Sequence, residues 1–140
     1  TDGERVVVSF GSAGVACFDF AGKRLWHVDL GPCEQIWGNA ASPILHGNLV
    51  IHNFGPGERT FLIGLDKRSG REVWRHNVSG GSFGSKPSEW NGSWSTPTPA
   101  RVNGVDQIVM MWPESLKAHD PQTGRVLWEC AGPTKLAYTS

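Results

Sequence analysis

The residues whose types could do chemistry gather in two segments. Residues 31–40 hold Glu34, Trp37 and Asn39, and residues 79–95 hold Phe83, Lys86, Glu89, Trp90, Asn91 and Trp94. Indole supplies a broad apolar face, a primary amide supplies a donor and an acceptor together, and Glu and Lys supply one charge of each sign. Aromatic surface with a few polar groups, carried on a loop, is the composition of a ligand site. The structural alternative is that these tryptophans cover the exposed ends of sheets. Glu34, Trp37, Asn39, Lys86, Glu89, Trp90, Asn91 and Trp94 form the candidate ligand face.

Other chemistries find less support. His27, His46, His52, His76 and His119 show no i, i+4 pairing and read as scattered polar or edge residues. Gly11-Ser12-Ala13-Gly14 reads as a hairpin turn, not a nucleophile elbow. The glycine-rich run from Ser79 to Ser85 lacks the Gly-Lys-Ser/Thr and the following helix of a phosphate-cradling loop. Cys17, Cys33 and Cys130 make an odd count, with no Cys-x-x-Cys and no zinc spacing. They read as free thiols packing like small apolar residues, although a bridge from Cys33 to either of the others is left open. No catalytic residue and no metal ligand is assigned.

Thirteen basic and thirteen acidic residues give a net charge of zero, so no electrostatic footprint for nucleic acid exists. No apolar stretch approaches the ~18 residues of a membrane-spanning helix. Gly is 18 and Pro is 9 of 140 residues, against roughly 12% for the two together in average usage. Turn formers this frequent, between short apolar runs, predict an all-β chain. Both termini read as cuts in a longer polypeptide.

The elements that must position the candidate residues emerge from a repeat. One phrase occurs three times: Cys17-Phe18-Asp19-Phe20-Ala21-Gly22-Lys23-Arg24-Leu25-Trp26, then Gly64-Leu65-Asp66-Lys67-Arg68-Ser69-Gly70-Arg71-Glu72-Val73-Trp74, then Ala118-His119-Asp120-Pro121-Gln122-Thr123-Gly124-Arg125-Val126-Leu127-Trp128. The offsets from Asp66 to Asp120, Gly70 to Gly124 and Trp74 to Trp128 are all 54, and Ser42-Pro43 recurs as Thr96-Pro97 at the same spacing. From Gly22 to Gly70 and from Trp26 to Trp74 the offset is 48, the first turn being one residue shorter.

Each unit predicts four short strands. The middle unit has Ala41–Leu45, Leu49–Asn53, Thr60–Leu65 and Glu72–Asn77, and the third has Thr96–Arg101, Gln107–Trp112, Ser115–His119 and Arg125–Glu129. The first lacks its opening strand and has Arg5–Phe10, Val15–Phe20 and Arg24–Val28. Four antiparallel strands in ~50 residues is the dimension of a propeller blade, which must stack on neighbours to bury its faces. The expected division is a partial first blade over 1–30, a second over 40–78, a third over 95–130 and the start of a fourth at 135–140. Asp19, Asp66 and Asp120 and Gly22, Gly70 and Gly124 make the turns, and Trp26, Trp74 and Trp128 are the wedges that dock one blade on the next.

The repeated phrase resembles the pyrroloquinoline-quinone (PQQ)-type propeller repeat of the quinoprotein-like family, commonly written Ala-x-Asp-x-x-Thr-Gly-Lys-x-x-Trp. The third copy matches nearly throughout, with Arg125 for Lys; the second has Gly64 for Ala and Ser69 for Thr, and the first has Cys17 in the Ala slot. The resemblance covers essentially the whole chain and implies an incomplete ring of about three four-stranded blades from a bacterial protein, periplasmic or secreted. The implied partners are the remaining blades of the same polypeptide, and a protein, peptide or carbohydrate ligand. Family members include quinone-dependent alcohol and sugar dehydrogenases as well as non-catalytic propellers.

A dehydrogenase would need a Trp platform beneath PQQ, Ca²⁺ held by Glu, Asn or Asp oxygens, and an Asp base. The links offer Glu34 with Asn39 near one tryptophan and Glu89 with Asn91 near others, a common combination, and the adjacent-cysteine pair of many alcohol-oxidising members is missing. The expectation is a non-catalytic binding scaffold with no cofactor in this segment; the alternative is part of a PQQ- and Ca²⁺-dependent dehydrogenase. In either case the links that run from the outer strand of one blade to the inner strand of the next carry the site.

Overall fold

The computed structural model describes residues 1–79, 81, 86, 90–132 and 134–138. Three antiparallel sheets follow one another along the chain. The first contains β1 (Val6–Ser9), β2 (Val15–Phe18) and β3 (Arg24–Val28). The second contains β4 (Ile44–His46), β5 (Leu49–Phe54), β6 (Thr60–Asp66) and β7 (Glu72–Val78). After the short β8 (Gly92–Ser93) comes the third sheet, of β9 (Thr98–Val102), β10 (Val105–Trp112), β11 (Ser115–His119) and β12 (Val126–Ala131). The last described strand, β13 (Leu136–Ala137), pairs in parallel with β8. Within each of the three sheets, spatial order equals sequence order, as expected of hairpin-connected propeller blades.

The opening strands start later than the sequence predicts. Ala41, Ser42 and Pro43 precede β4, and Thr96 and Pro97 precede β9. Proline has no N–H to give to a ladder. Pro99 is accommodated inside β9, where it lies opposite Ile108, because β9 is the edge of its sheet.

Alternation along β5 and β6 explains how the sheets stack. Every residue of β5 is buried, and so are the first six of β6, so both faces of the second sheet are covered. Val50, Phe54, Phe61, Ile63 and Leu65 face the first sheet, where they pack with Val15, Cys17, Trp26 and Leu30. Leu49, Ile51 and Leu62 point the other way and pack with Ile108, Met110 and Trp112 of the third sheet. A period of two thus serves two separate cores on one sheet.

The repeated phrase is an interlock between sheets. In each unit the Asp carboxylate accepts backbone N–H groups inside its turn: Asp66 Oδ1 takes Arg68 N at 3.2 Å and Ser69 N at 2.8 Å, and Asp120 Oδ1 takes Gln122 N at 2.8 Å and Thr123 N at 3.0 Å. Asp19 does the same with Ala21 and Lys23 in the shorter first turn. The Ser69 hydroxyl, with backbone N–H groups of the turn, holds the Asp66 carboxyl below its ordinary range. A bulge recurs in all three units just before the Asp, at Cys17/Phe18, Gly64/Leu65 and Ala118/His119.

The tryptophans then reach across. Trp26 Nε1 donates to Lys67 O at 3.0 Å, and Trp74 Nε1 donates to Pro121 O at 2.9 Å, in each case the residue after the Asp of the next unit. The ring of each lies against the glycine of that same turn. A Cβ added at Gly70 would lie 2.8 Å from Cδ2 and Cε3 of Trp26, and one at Gly124 would lie 2.8 Å from Cζ3 and 2.9 Å from Cδ2 of Trp74. Both glycines also have positive φ, 74° and 69°, so only glycine satisfies the turn and the indole together. The small residue that opens the phrase lies directly opposite the Trp of its own unit: Cys17 opposite Trp26, Gly64 opposite Trp74, Ala118 opposite Trp128.

Trp128 and Gly22 differ from their counterparts. Trp128 is 38% exposed and donates to Gln107 Oε1 of its own sheet at 2.8 Å; among the described residues no further turn covers it. Gly22 has φ 81° and nothing within 4 Å of where its Cβ would be.

Two of the five histidines depart from the polar or edge positions read from the sequence, while His27 is exposed and His46 and His76 are half-buried. His52 and His119 are fully buried. His52 Nε2 and Ser9 Oγ are 3.0 Å apart and tie the second sheet to the first. His119 accepts from Trp112 Nε1 at 3.2 Å through Nε2, which leaves its proton on Nδ1, 3.0 Å from Gly124 O. Burial lowers the pKa of both rings to about 4. The missed signal was position: each lies inside a strand among core residues.

Candidate functional site

The links between sheets lie beside the hairpin that joins β5 to β6. Asn39 Nδ2 donates to Gly55 O, the Cys33 thiol lies 3.7 Å from Pro56 O, and the backbone of Glu34 approaches Gly57. From the other link, the backbone at Gly92 packs against the Pro56 ring. The same hairpin therefore supports both links.

On that support the tryptophans of different links meet. Trp37, from the link between the first and second sheets, contacts Trp90 edge-on with ring centroids 4.7 Å apart. It contacts Trp94 at 5.7 Å with the planes tilted by 50°. Trp90 and Trp94 come from the link between the second and third sheets. Tyr138, from the segment after the third sheet, stacks on Trp94 at 5.1 Å and 17°. The indole N–H of Trp94 is given to Gly38 O at 2.9 Å, which joins the two links directly. Aromatic side chains from three successive links thus form one continuous cluster.

Trp94 is buried and central to this cluster. Trp37 is 49% exposed and Tyr138 is 59% exposed, and Ile36 beside Trp37 is also exposed. The Trp37 backbone N–H donates to the Gln35 side-chain oxygen, which fixes the turn presenting the ring. Glu34 and Lys86 are exposed, Asn39 is committed to Gly55, and Asn91 keeps its Oδ1 buried and without a hydrogen-bond partner. Gln35 Nε2 is in the same condition. Glu89 and Phe83 lie outside the described residues. The structure therefore brings Trp37, Trp90 and Trp94 together and adds Gln35, Ile36 and Tyr138, which sequence reasoning passed over. Tyr138 is the single tyrosine of the chain and lies in the segment after the third repeat, a signal that could have drawn attention to it.

Among the described residues these side chains do not assemble a seat for a quinone and its metal: one face of Trp94 carries Tyr138, and the edge of Trp90 meets Trp37. Among the described residues no three His, Cys, Asp or Glu side chains are grouped as metal ligands. No cysteine is bridged: Cys17 is buried, Cys33 half-buried and Cys130 exposed, and burial raises the thiol pKa of Cys17 and Cys33.

A concavity lies between β1 and the segment that leads into β4. It has a volume of about 280 Å³ and is lined by Val7, Val8 and Ser9 of β1 and by residues 39–43. Its polar lining is Ser9, Asn39 and Ser42, of which Ser9 is tied to His52 and Asn39 to Gly55.

Comparison with known proteins places this geometry. The PQQ-type family model described as the outer membrane protein assembly factor BamB matches residues 1–111. No curated protein matches by sequence. Among solved structures, BamB from Moraxella catarrhalis is similar at 20% identity and a TM-score of 0.68, covering 92% of this chain and 34% of that one. A quinohemoprotein alcohol dehydrogenase from Pseudomonas putida HK5 is similar at 15% identity and a TM-score of 0.65, covering 95% of this chain and 26% of that one. A europium-containing methanol dehydrogenase gives 14% identity and a TM-score of 0.68, with 91% and 30% covered. At such identities the likeness is one of fold, and the chain spans about a third or less of each of these structures.

Proposed function

The chain belongs to the PQQ-type propeller-repeat family of the outer membrane protein assembly factor BamB, and on that premise we propose that it is part of a non-catalytic propeller, outside the cytoplasm, that binds a ligand through the face carrying its inter-sheet links. The observation that carries this reading is the aromatic cluster of Trp37, Trp90, Trp94 and Tyr138, drawn from three links and half-open at both Trp37 and Tyr138. Aromatic surface held on a rigid scaffold and left in part to solvent is where binding energy concentrates. Further units of the same repeat flank the three sheets: Trp128 offers the ring that would cover a following turn, and Gly22 offers the open turn that a preceding Trp would cover.

The second reading, part of a PQQ- and Ca²⁺-dependent dehydrogenase, draws on fold likeness to such enzymes. The packing of Trp94 against Tyr138 and of Trp37 against Trp90 counts against it. The deciding experiment is reconstitution of the full-length polypeptide with PQQ and Ca²⁺. The binding-scaffold reading expects no stoichiometric quinone after desalting and no dye reduction with alcohols or sugars. One quinone retained per chain, or quinone-dependent turnover, overturns it.

A further inference from the structure

The first sheet has an open edge where the other two are covered, and we infer that this edge accepts a Ser/Thr-Pro strand of the same repeat, supplied by the full-length polypeptide and held through Ser42. Val7, Ile51 and Val109 hold equivalent places, each opposite the small residue that opens the repeated phrase: Cys17, Gly64 and Ala118. On its other side Ile51 pairs with Ile44, and Val109 pairs with Thr98. Val7 has no such partner among the described residues, because β1 is the edge of its sheet. In both covered sheets the pairing residue comes two after a Ser or Thr and directly after a Pro: Ser42-Pro43-Ile44 and Thr96-Pro97-Thr98. An extended segment of that pattern, its third residue opposite Val7, takes up the backbone N–H and C=O groups that the edge of β1 leaves unpaired.

The same Ser/Thr carries a contact from one unit to the next. Ser42 N–H donates to Thr96 Oγ1 at 3.1 Å, a bond between equivalent positions 54 residues apart. Ser42 is exposed, and among the described residues no group donates to its hydroxyl. Continued one unit back, the bond sets the N–H of the incoming Ser or Thr on Ser42 Oγ. The cavity of about 280 Å³ joins both contacts, with residues 7–9 of β1 on one side and residues 39–43 on the other. Its other polar side chains are committed, Ser9 to His52 and Asn39 to Gly55, and the rest of its lining is Val7, Val8, Ala40, Ala41 and Pro43. A compact polar ligand finds one hydroxyl there, whereas a strand finds that hydroxyl and an open ladder beside it. The inference stands on the repeat and is independent of what the link face binds.

The test uses the full-length polypeptide. Hydrogen exchange read by mass spectrometry is expected to show β1 protected to within about tenfold of β5, where a free edge exchanges far faster. Ser42→Ala keeps its own N–H for Thr96 but removes the acceptor, and is expected to speed exchange in β1 about fivefold with β5 unchanged, the scale of one lost hydrogen bond. Thr96→Ala takes the acceptor from Ser42 N and calibrates the effect: it should loosen β4 by a similar factor. Circular dichroism separates these local changes from lost fold. Independently, photo-leucine in place of Val8 is irradiated and the cross-linked peptides are sequenced by mass spectrometry. The expected product joins β1 to a segment of the same polypeptide that contains Ser-Pro or Thr-Pro. Free-edge exchange at β1 overturns the inference, as does β1 exchange that Ser42→Ala leaves unaltered. A cross-link to another protein, to a segment without that dipeptide, or to solvent alone overturns it too. A retained quinone defeats the scaffold reading and leaves this inference in place.

Discussion

Replacing the turn glycine by alanine separates the cost of the backbone from the cost of the interlock, because the chain contains both situations. Gly22 and Gly124 occupy the same place in their units and both have positive φ, 81° and 69°. An alanine at either position bears the left-handed penalty of roughly 1–2 kcal/mol. At Gly22 nothing lies within 4 Å of the new methyl group, so the cost stops there. At Gly124 the methyl group meets the six-membered ring of Trp74, with Cζ3 at 2.8 Å. Forcing that ring away adds about 1–3 kcal/mol of overpacking strain. Gly124→Ala is thus expected to destabilise by about 2 kcal/mol more than Gly22→Ala. Urea unfolding followed by circular dichroism reads this as a shift of the midpoint by roughly 1 M. In a Trp74→Ala background the added cost of Gly124→Ala should fall back to that of Gly22→Ala, a coupling of about 2 kcal/mol. Equal costs at the two glycines, or a cycle with no coupling, would refute the account of the repeat as a ring-on-glycine interlock.

Further expectations concern the same scaffold. Trp74→Ala should cost about 3–5 kcal/mol in urea unfolding, whereas Trp128→Ala, half-open and bonded within its own sheet, should cost about 1 kcal/mol. The buried His52 has its pKa lowered from 6.5 to about 4, so the folded state binds its proton less readily than the unfolded chain. Stability is therefore complete above pH 6.5 and falls as pH drops toward 4, by about 3 kcal/mol from this residue, with His119 adding in the same direction. Thermal unfolding between pH 7.5 and 4 measures it, and a flat profile contradicts the burial argument. A thiol reagent at neutral pH should modify exposed Cys130 at once and buried Cys17 only on unfolding, as peptide mapping after timed quenching will show. Asp120→Ala removes the acceptor for Gln122 N and Thr123 N and should cost about 1 kcal/mol.

The sequence exposed the turns most clearly because the turn chemistry is local. An Asp that accepts from the two or three residues after it and a Gly with positive φ lie within five residues of each other, so spacing alone reveals them. The strands were legible wherever a short apolar run lay between turn formers, as along residues 49–54 and 60–66, and misplaced where Pro43 and Pro97 withhold a donor. The partners of the indoles were not legible. Trp26 rests on Gly70 and Trp74 on Gly124, each in the following unit, and no local pattern states which glycine a distant ring will cover. The aromatic cluster was half visible: Trp37, Trp90 and Trp94 stood out by type, but Tyr138 joins them only because β13 returns to pair with β8. His52 and His119 misled because polar side chains were taken as surface markers, whereas each finds a hydrogen-bond partner in the interior.

The ring-on-glycine contact has a direction. At both joints the earlier sheet gives its indole forward to a turn of the next, so the two flanks of a unit are unlike, and no unit can be inserted backwards. Because the joint between the first and second sheets has the same parts as the joint between the second and third, removing or duplicating one complete unit regenerates a joint that already works. Change by whole repeats is then mild for this architecture, while an insertion that stops partway between an Asp turn and its tryptophan leaves a ring without a seat. Length variation in such chains should therefore come in steps of about fifty residues.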